Sequence, residues 1–223
     1  MKRTDLALEA KEAIKGEHEI EGVALKREEK DGVTVATLEI RTDAGSKTMG
    51  KEKGTYITVE LEEENEEAVI RELVQQMKQL SGGKNDKCFI LGLGNREITP
   101  DALGPLTIDK VLVTRHLIRE FGSEMKKKYH YSEANSEAQA LAPGVMAQTG
   151  MEMQEIVKGI VDKTAPDIVF VVDALAARSM HRLGRTIQLT DTGISPGAGV
   201  GNNRKELNRR TLGVDVIAIG VAT

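Results

Sequence analysis

The sequence has a single cysteine, Cys88, so no disulfide can form within the chain. Cys88 lies in an apolar run, where a thiol behaves as a small buried hydrophobe rather than as a nucleophile. A reducing compartment is therefore expected. No stretch reaches the roughly 18 uninterrupted apolar residues that span a bilayer. The opening twenty residues, MKRTDLALEAKEAIKGEHEI, carry repeated charges and no apolar core of a secretory signal. The reading is a soluble cytoplasmic protein, neither exported nor integral to a membrane.

A surplus of positive charge is also missing. Lysine and arginine number 31 against 35 acidic residues, a net charge of −4, which argues against broad electrostatic binding of nucleic acid. The histidines, His18, His116, His130 and His181, form neither an H-E-x-x-H pattern nor a Cys/His ligand spacing, so no metal site is expected. There is no G-x-S-x-G elbow, and Ser179 beside His181 reads as helix surface. Gly92-Leu93-Gly94 hints at a dinucleotide fingerprint, but the third glycine would fall at Glu97, whose carboxylate repels pyrophosphate. That glycine pair reads as a tight turn. No Walker A loop, internal repeat or low-complexity linker occurs, and no cofactor is expected.

What is present is a chain of 223 residues, 39% hydrophobic and 30% charged, enough for one domain with a sizeable core. The segment TDLALEAKEAI repeats apolar residues every four positions from Leu6, behind a cap at Thr4 or Asp5, and predicts a short helix or arm. VTVATLEI from Val33 and TYITVEL from Thr55 alternate apolar and polar residues, so residues 16–62 predict a β-rich subregion. From Glu62 a helix follows, with Val69, Leu73, Met77 and Leu80 on one face, stopped at Ser81-Gly82-Gly83. KCFILGLGN predicts the first buried strand of the main sheet.

Residues 106–121 carry the spacing of an amphipathic helix, with Ile108, Leu112, Leu117 and Ile118 on its apolar side. The stretch 122–148 reads as an irregular excursion, and its KKKYHY run reads as a solvated charge cluster. A helix over 149–163 ends before Pro166. DIVFVVDA is the second buried strand, with Asp173 just past it. TIQLTDTG and VDVIAIGVAT supply further strands. This alternation predicts an α/β fold with an open, mainly parallel sheet and helices on both faces, plus the β-rich N-terminal subregion.

Ligand sites in open α/β sheets lie outside the carboxyl ends of the strands. Each loop after the two buried strands offers an aspartate: Asp101 in TPDALGP and Asp173 in VVDALAARS. Two carboxylates sharing a site disfavour each other's charge, which suits one as base and the other as acid. Helix capping is the competing explanation of each residue, and spacing alone leaves both open. The loop from Gly193 to Asn203 holds four glycines beside Arg204 and Lys205. It reads equally as an anion-binding nest and as a surface turn.

The segments ILGLGNREITPDALGP, VTRHL, APGVMAQTGME, VFVVDALAARS and TDTGISPGAGVGNNRKEL closely resemble the germination protease family of spore-forming bacteria. The resemblance covers nearly the whole chain. It implies an endopeptidase that degrades small acid-soluble spore proteins in the spore core during germination. It also implies synthesis as an inactive zymogen, autocatalytic cleavage, a homotetramer, and a fold similar to hydrogenase-maturation peptidases. The family's catalytic aspartates fall on Asp101 and Asp173, with Asn95, Thr99, Arg178, Asp191, Arg204 and Lys205 as weaker supporting or substrate-binding candidates.

The related metallopeptidases carry a metal-binding histidine where this chain reads DTGISPGAG, so the resemblance implies a metal-free, aspartic-type reaction. Thr4-Asp5-Leu6-Ala7-Leu8-Glu9 is similar to the family's self-processing segment, with the bond from Asp5 to Leu6 as the one cut. Only five residues precede that bond, where family zymogens carry a longer pro-segment. Family members continue past the position of Thr223 with further helical sequence, so a single peptidase domain over 1–223 with an incomplete C-terminus is expected. The alternatives are a metal-dependent maturation-type peptidase and a noncatalytic module that captures acidic peptides through Arg204 and Lys205.

Overall fold

A computed structural model of the chain describes residues 4–14, 19–61, 65–83, 86–128, 137–197 and 204–223, with the backbone alone for 123–128. The elements run α1 (Ala7–Glu12), β1 (Val23–Lys30), β2 (Val33–Ile40), α2 (Asp43–Met49), β3 (Gly54–Leu61), α3 (Glu66–Ser81), β4 (Lys87–Gly92), α4 (Leu103–Ile108) and α5 (Arg115–Lys128). They continue with β5 (Glu137–Leu141), α6 (Met146–Thr149), α7 (Met153–Thr164), β6 (Ile168–Leu175), β7 (Thr186–Thr190), α8 (Arg209–Leu212) and β8 (Asp215–Ala222).

The strands form one open eight-stranded sheet in the order β1-β2-β3-β7-β8-β6-β4-β5. The α/β class and the open sheet are as the sequence predicts, but the sheet is mixed rather than mainly parallel. Strands β8, β6, β4 and β5 pair in parallel, whereas β1, β2, β3, β7 and β8 pair antiparallel. The β-rich N-terminal part therefore continues the main sheet through the β3–β7 pair. Alternation along the buried strands sends neighbouring side chains to opposite faces. On one face Phe89, Leu91, Val169, Val171 and Val216 pack with Val157 and Val161 of α7 and Leu212 of α8. On the other, Cys88, Ile168, Phe170 and Ile217 meet Met77 and Leu80 of α3. Val69, Leu73, Met77 and Leu80 share the buried side of α3, as their spacing predicts.

Four differences from the sequence reading have local causes. The helix over 106–121 is two helices, because Thr114 is tied to the β5 backbone. Its N–H donates to the Ala138 carbonyl at 2.9 Å and its hydroxyl accepts the Ala138 N–H at 2.8 Å. Leu112, placed on the apolar side by spacing, is 76% exposed in the connection. The stretch 122–148 contains β5, an edge strand, while KKKYHY runs into residues outside those described. Strand β1 carries no apolar–polar alternation because its outer part, LKREEK, is charged, a common composition for an edge strand. The readable signal was Asp31-Gly32, both at positive φ, which closes a two-residue hairpin. Finally, Asp173 lies within β6 rather than past it, opposite Gly220 of β8.

Candidate active site

The parallel strands β4, β6 and β8 all deliver their carboxyl ends to one edge, and a cavity of about 740 Å³ opens there. Its lining includes Asp101, Asp173 and Asp5, with Lys51, Gln188 and Gly220. Asp173 reaches it from the carboxyl-terminal half of β6. It is 8% exposed and accepts the Ala174 N–H at 2.9 Å. Burial pushes its carboxyl up to about 7, and the charges of Asp101 and Asp5 add to that rise against the Ala174 hydrogen bond. A carboxyl held near 7 keeps its proton on about half of the molecules at neutral pH, which makes it available as an acid.

Asp101 is the last residue of a single 3-10 turn, Thr99–Asp101. One carboxylate oxygen accepts the Asn95 N–H at 2.7 Å. The chain comes this close because Gly94 lies against Asp101. At a φ of +114, a Cβ there would stand 2.0 Å from the Asp101 carbonyl oxygen and 3.0 Å from its carboxylate. The capping explanation does not describe either aspartate. Helix α4 is preceded by Ala102 at its cap position, with no side-chain cap, and Asp173 sits inside a strand.

The third acid arrives from the N-terminal segment. Asp5 pairs with Ala176, three residues beyond Asp173: its N–H donates to the Ala176 carbonyl, and its carboxylate accepts the Ala176 N–H, both at 2.9 Å. Leu6 is fully buried against Leu175 and Ala222. Glu9, also buried, accepts the N–H groups of Arg178 at 2.7 Å and Ser179 at 2.9 Å. Burial alone would push the Glu9 carboxyl up, but the Thr4 hydroxyl, those two amides and the Arg182 charge bring it below its ordinary value. The segment is thus anchored at Asp5, Leu6 and Glu9.

Two residues that the sequence reading did not single out complete the contact. Lys51 follows Gly50, which ends α2 in the left-handed conformation, and the Ser46 hydroxyl donates to the Lys51 carbonyl at 2.7 Å. Its ammonium donates to the Asp5 carbonyl at 2.9 Å and the Thr4 carbonyl at 3.3 Å. Burial lowers the Lys51 ammonium from its ordinary value, with the Asp5 carboxylate opposing. Gln188 of β7 accepts the Ala7 N–H at 2.7 Å and donates to the Asp5 carbonyl at 3.3 Å. The legible signal was the alternation of Thr186, Gln188 and Thr190 on one side of TIQLT, all buried. A polar face buried on a strand requires partners.

The weaker candidates divide. Asn95 touches Asp101 through its backbone. Thr99 begins the turn that carries Asp101 but is exposed. Asp191 is spent on the Thr55 N–H at 2.8 Å. Arg178 lies in a separate groove with Glu9, Arg182 and Arg185. Arg204 and Lys205 are paired with Glu152 at 3.8 Å and Glu155 at 3.3 Å, and neither lines the cavity of the aspartates. Of the glycine-rich loop, residues 198–203 lie outside those described. Among the described residues, no three His, Cys, Asp or Glu side chains stand close enough to hold a metal ion. No helix among them is long and apolar enough to cross a membrane.

A family model described as germination protease matches residues 2–223. Curated proteins named germination protease align with 99% of the chain. The protein from Geobacillus sp. (strain WCH70) is 42% identical over 240 residues, 63% of its own length. That from Bacillus velezensis is 44% identical over 236 residues, 62% of its length. That from Caldanaerobacter subterraneus subsp. tengcongensis is 44% identical over 234 residues, 68% of its length. The chain thus spans a little over three fifths of the length of the first two relatives. It belongs to the germination protease family.

Proposed function

We propose that this member of the germination protease family is a metal-independent endopeptidase of the aspartic type, acting on small acid-soluble spore proteins through Asp101 and Asp173. The observation that carries the reading is the asymmetry of the pair. Asp173 is buried with its carboxyl near 7, while the Asp101 charge acts on it within one cavity. A carboxyl raised by burial beside a second carboxylate is suited to the acid's part in such a pair.

In this reading Asp101 is the base and takes a proton from water, whose oxygen adds to the carbonyl carbon of the substrate peptide. Neutral Asp173 polarises the carbonyl, then gives its proton to the amide nitrogen as the carbon–nitrogen bond breaks. The products are a new carboxyl group and a new amino group, and return of the proton from Asp101 to Asp173 restores the site. The N-terminal segment supplies a peptide of the matching kind. Its Asp5–Leu6 bond is the proposed self-processing bond, and its scissile N–H donates to the Thr4 hydroxyl at 3.1 Å.

The test is incubation of the full chain, in the presence of a strong chelator, with small acid-soluble spore proteins, followed by mass analysis of the products. Cleavage in chelator on the carboxyl side of acidic residues is the expected result. Cleavage that appears only on adding a divalent metal would contradict the reading and favour a metal-dependent maturation-type peptidase.

A further inference from the structure

The Asp5 carbonyl oxygen stands out in the cavity because two side chains from different parts of the fold converge on it. Lys51 comes from the turn between α2 and β3 and donates at 2.9 Å. Gln188 comes from the middle of β7 and donates at 3.3 Å. Both donors are held from behind. The Ser46 hydroxyl fixes the Lys51 backbone, and the Ala7 N–H fixes the Gln188 carboxamide so that its nitrogen faces Asp5.

We propose that Lys51 and Gln188 are the oxyanion-stabilising pair of this site, holding the oxygen of the carbonyl under attack and taking up its charge as the tetrahedral intermediate forms. The inference rests on the reading of Asp5–Leu6 as a bond cut by Asp101 and Asp173.

The chemistry favours this role over simple clamping. A half-buried ammonium loses part of its solvation, which neutral carbonyls replace poorly. Methionine would fill the same space without that cost. The Asp5 carboxylate already favours the Lys51 charge from nearby, but an oxyanion on the carbonyl that Lys51 touches would reward that charge more, so the interaction strengthens as the carbonyl electron pair moves onto oxygen. Such differential binding lowers the barrier, whereas equal binding of both states does not. Lys51 and Gln188 stand 2.9 and 3.3 Å from the ground-state carbonyl oxygen, so a small outward movement of that oxygen on addition of water brings it within roughly 2.7–3.1 Å of donors, the range that serves an oxyanion. The electron balance of the reaction is unchanged: water adds, the carbonyl pair rests on oxygen beside Lys51 and Gln188, and it returns as the carbon–nitrogen bond breaks. Lys51 and Gln188 share the polarisation of the carbonyl with Asp173, whose proton then passes to the departing nitrogen.

The test compares the full chain with Lys51→Met, Lys51→Arg, Gln188→Met and Asp173→Asn. Each is assayed on the peptide Thr-Asp-Leu-Ala-Leu-Glu for kcat and KM separately, and by thermal unfolding for intactness. Lys51→Met is expected to lower kcat by about 10²- to 10³-fold with KM little changed, the loss typical of one oxyanion donor. Lys51→Arg should recover part of it, and Gln188→Met should show a smaller kcat loss. A kcat unchanged in Lys51→Met, or a loss confined to KM, overturns the inference while leaving the aspartate pair in place. Should Lys51→Met fail to fold, Gln188→Met decides on the same criterion. An uncut peptide with the wild-type chain, or full activity in Asp173→Asn, fails the underlying reading, and the inference falls with it.

Discussion

Gln188 and Asp173 stand on either side of Gly220 in one cross-strand row, Gln188 paired with it from β7 and Asp173 from β6. Residues in register across a sheet project to the same face. The missing side chain at Gly220 therefore leaves a gap between an acid and a carboxamide, and the Leu175 side chain leans into it. A Cβ on Gly220 would lie 2.3 Å from Leu175 Cγ. Leu175 in turn packs on Leu6. Gly220→Ala is expected to destabilise the fold by roughly 1–3 kcal/mol in denaturant unfolding, as overpacking does. It should also slow cleavage at Asp5–Leu6. Unaltered stability would contradict the packing described.

The turn that presents Asp101 should be equally intolerant. Gly94→Ala forces a Cβ into the Asp101 carbonyl oxygen at a φ that side chains rarely adopt. The expected outcome is loss of peptide cleavage with the sheet retained by circular dichroism. An active Gly94→Ala enzyme would mean that the close approach of Gly94 to Asp101 is not required.

Asp173 makes stability depend on pH with a definite sign. Its folded value, about 7, lies above the ordinary 3.8, so between those values the native state keeps a proton that the unfolded chain has lost. Stability falls as pH rises through that window, by about 4 kcal/mol at the outside. Asn at position 173 cannot ionise, so Asp173→Asn should be more stable than wild type above pH about 7, with the gap closing towards pH about 4. Chemical denaturation across that range measures it. A gap independent of pH would contradict the raised value.

On the proposed roles, the same proton sets the rate. With neutral Asp173 as the acid, kcat for peptide cleavage should hold below pH about 7 and fall roughly tenfold per unit above it. A kcat that rises through 7 would reverse the assigned roles.

Legibility of the fold followed the strength of local pattern. The apolar strands from Phe89, Val169 and Val216 and the stripe of α3 announce themselves, since each element buries a face with its own period. The joining of the N-terminal strands to the main sheet did not, because β3 meets β7 more than a hundred residues away and no local period encodes a partner. Asp101 and Asp173 could be placed at strand ends, but their shared cavity depends on the Gly94 turn and on parallel crossovers. Lys51 and Gln188 were hidden for the same reason. A lysine in a turn and a glutamine in a strand look like surface until Thr4–Leu6 is laid across them.

The most direct test of the paired-aspartate account is the single-turnover rate of peptide cleavage in Asp101→Asn, Asp173→Asn and the double variant, each checked for folding. Groups that act as one unit on one water lose together, so the account predicts that each single variant falls to about the same residual rate as the double, at least ~10³-fold below wild type. Losses that simply multiply in the double variant, or a single variant that retains the wild-type rate, would contradict it.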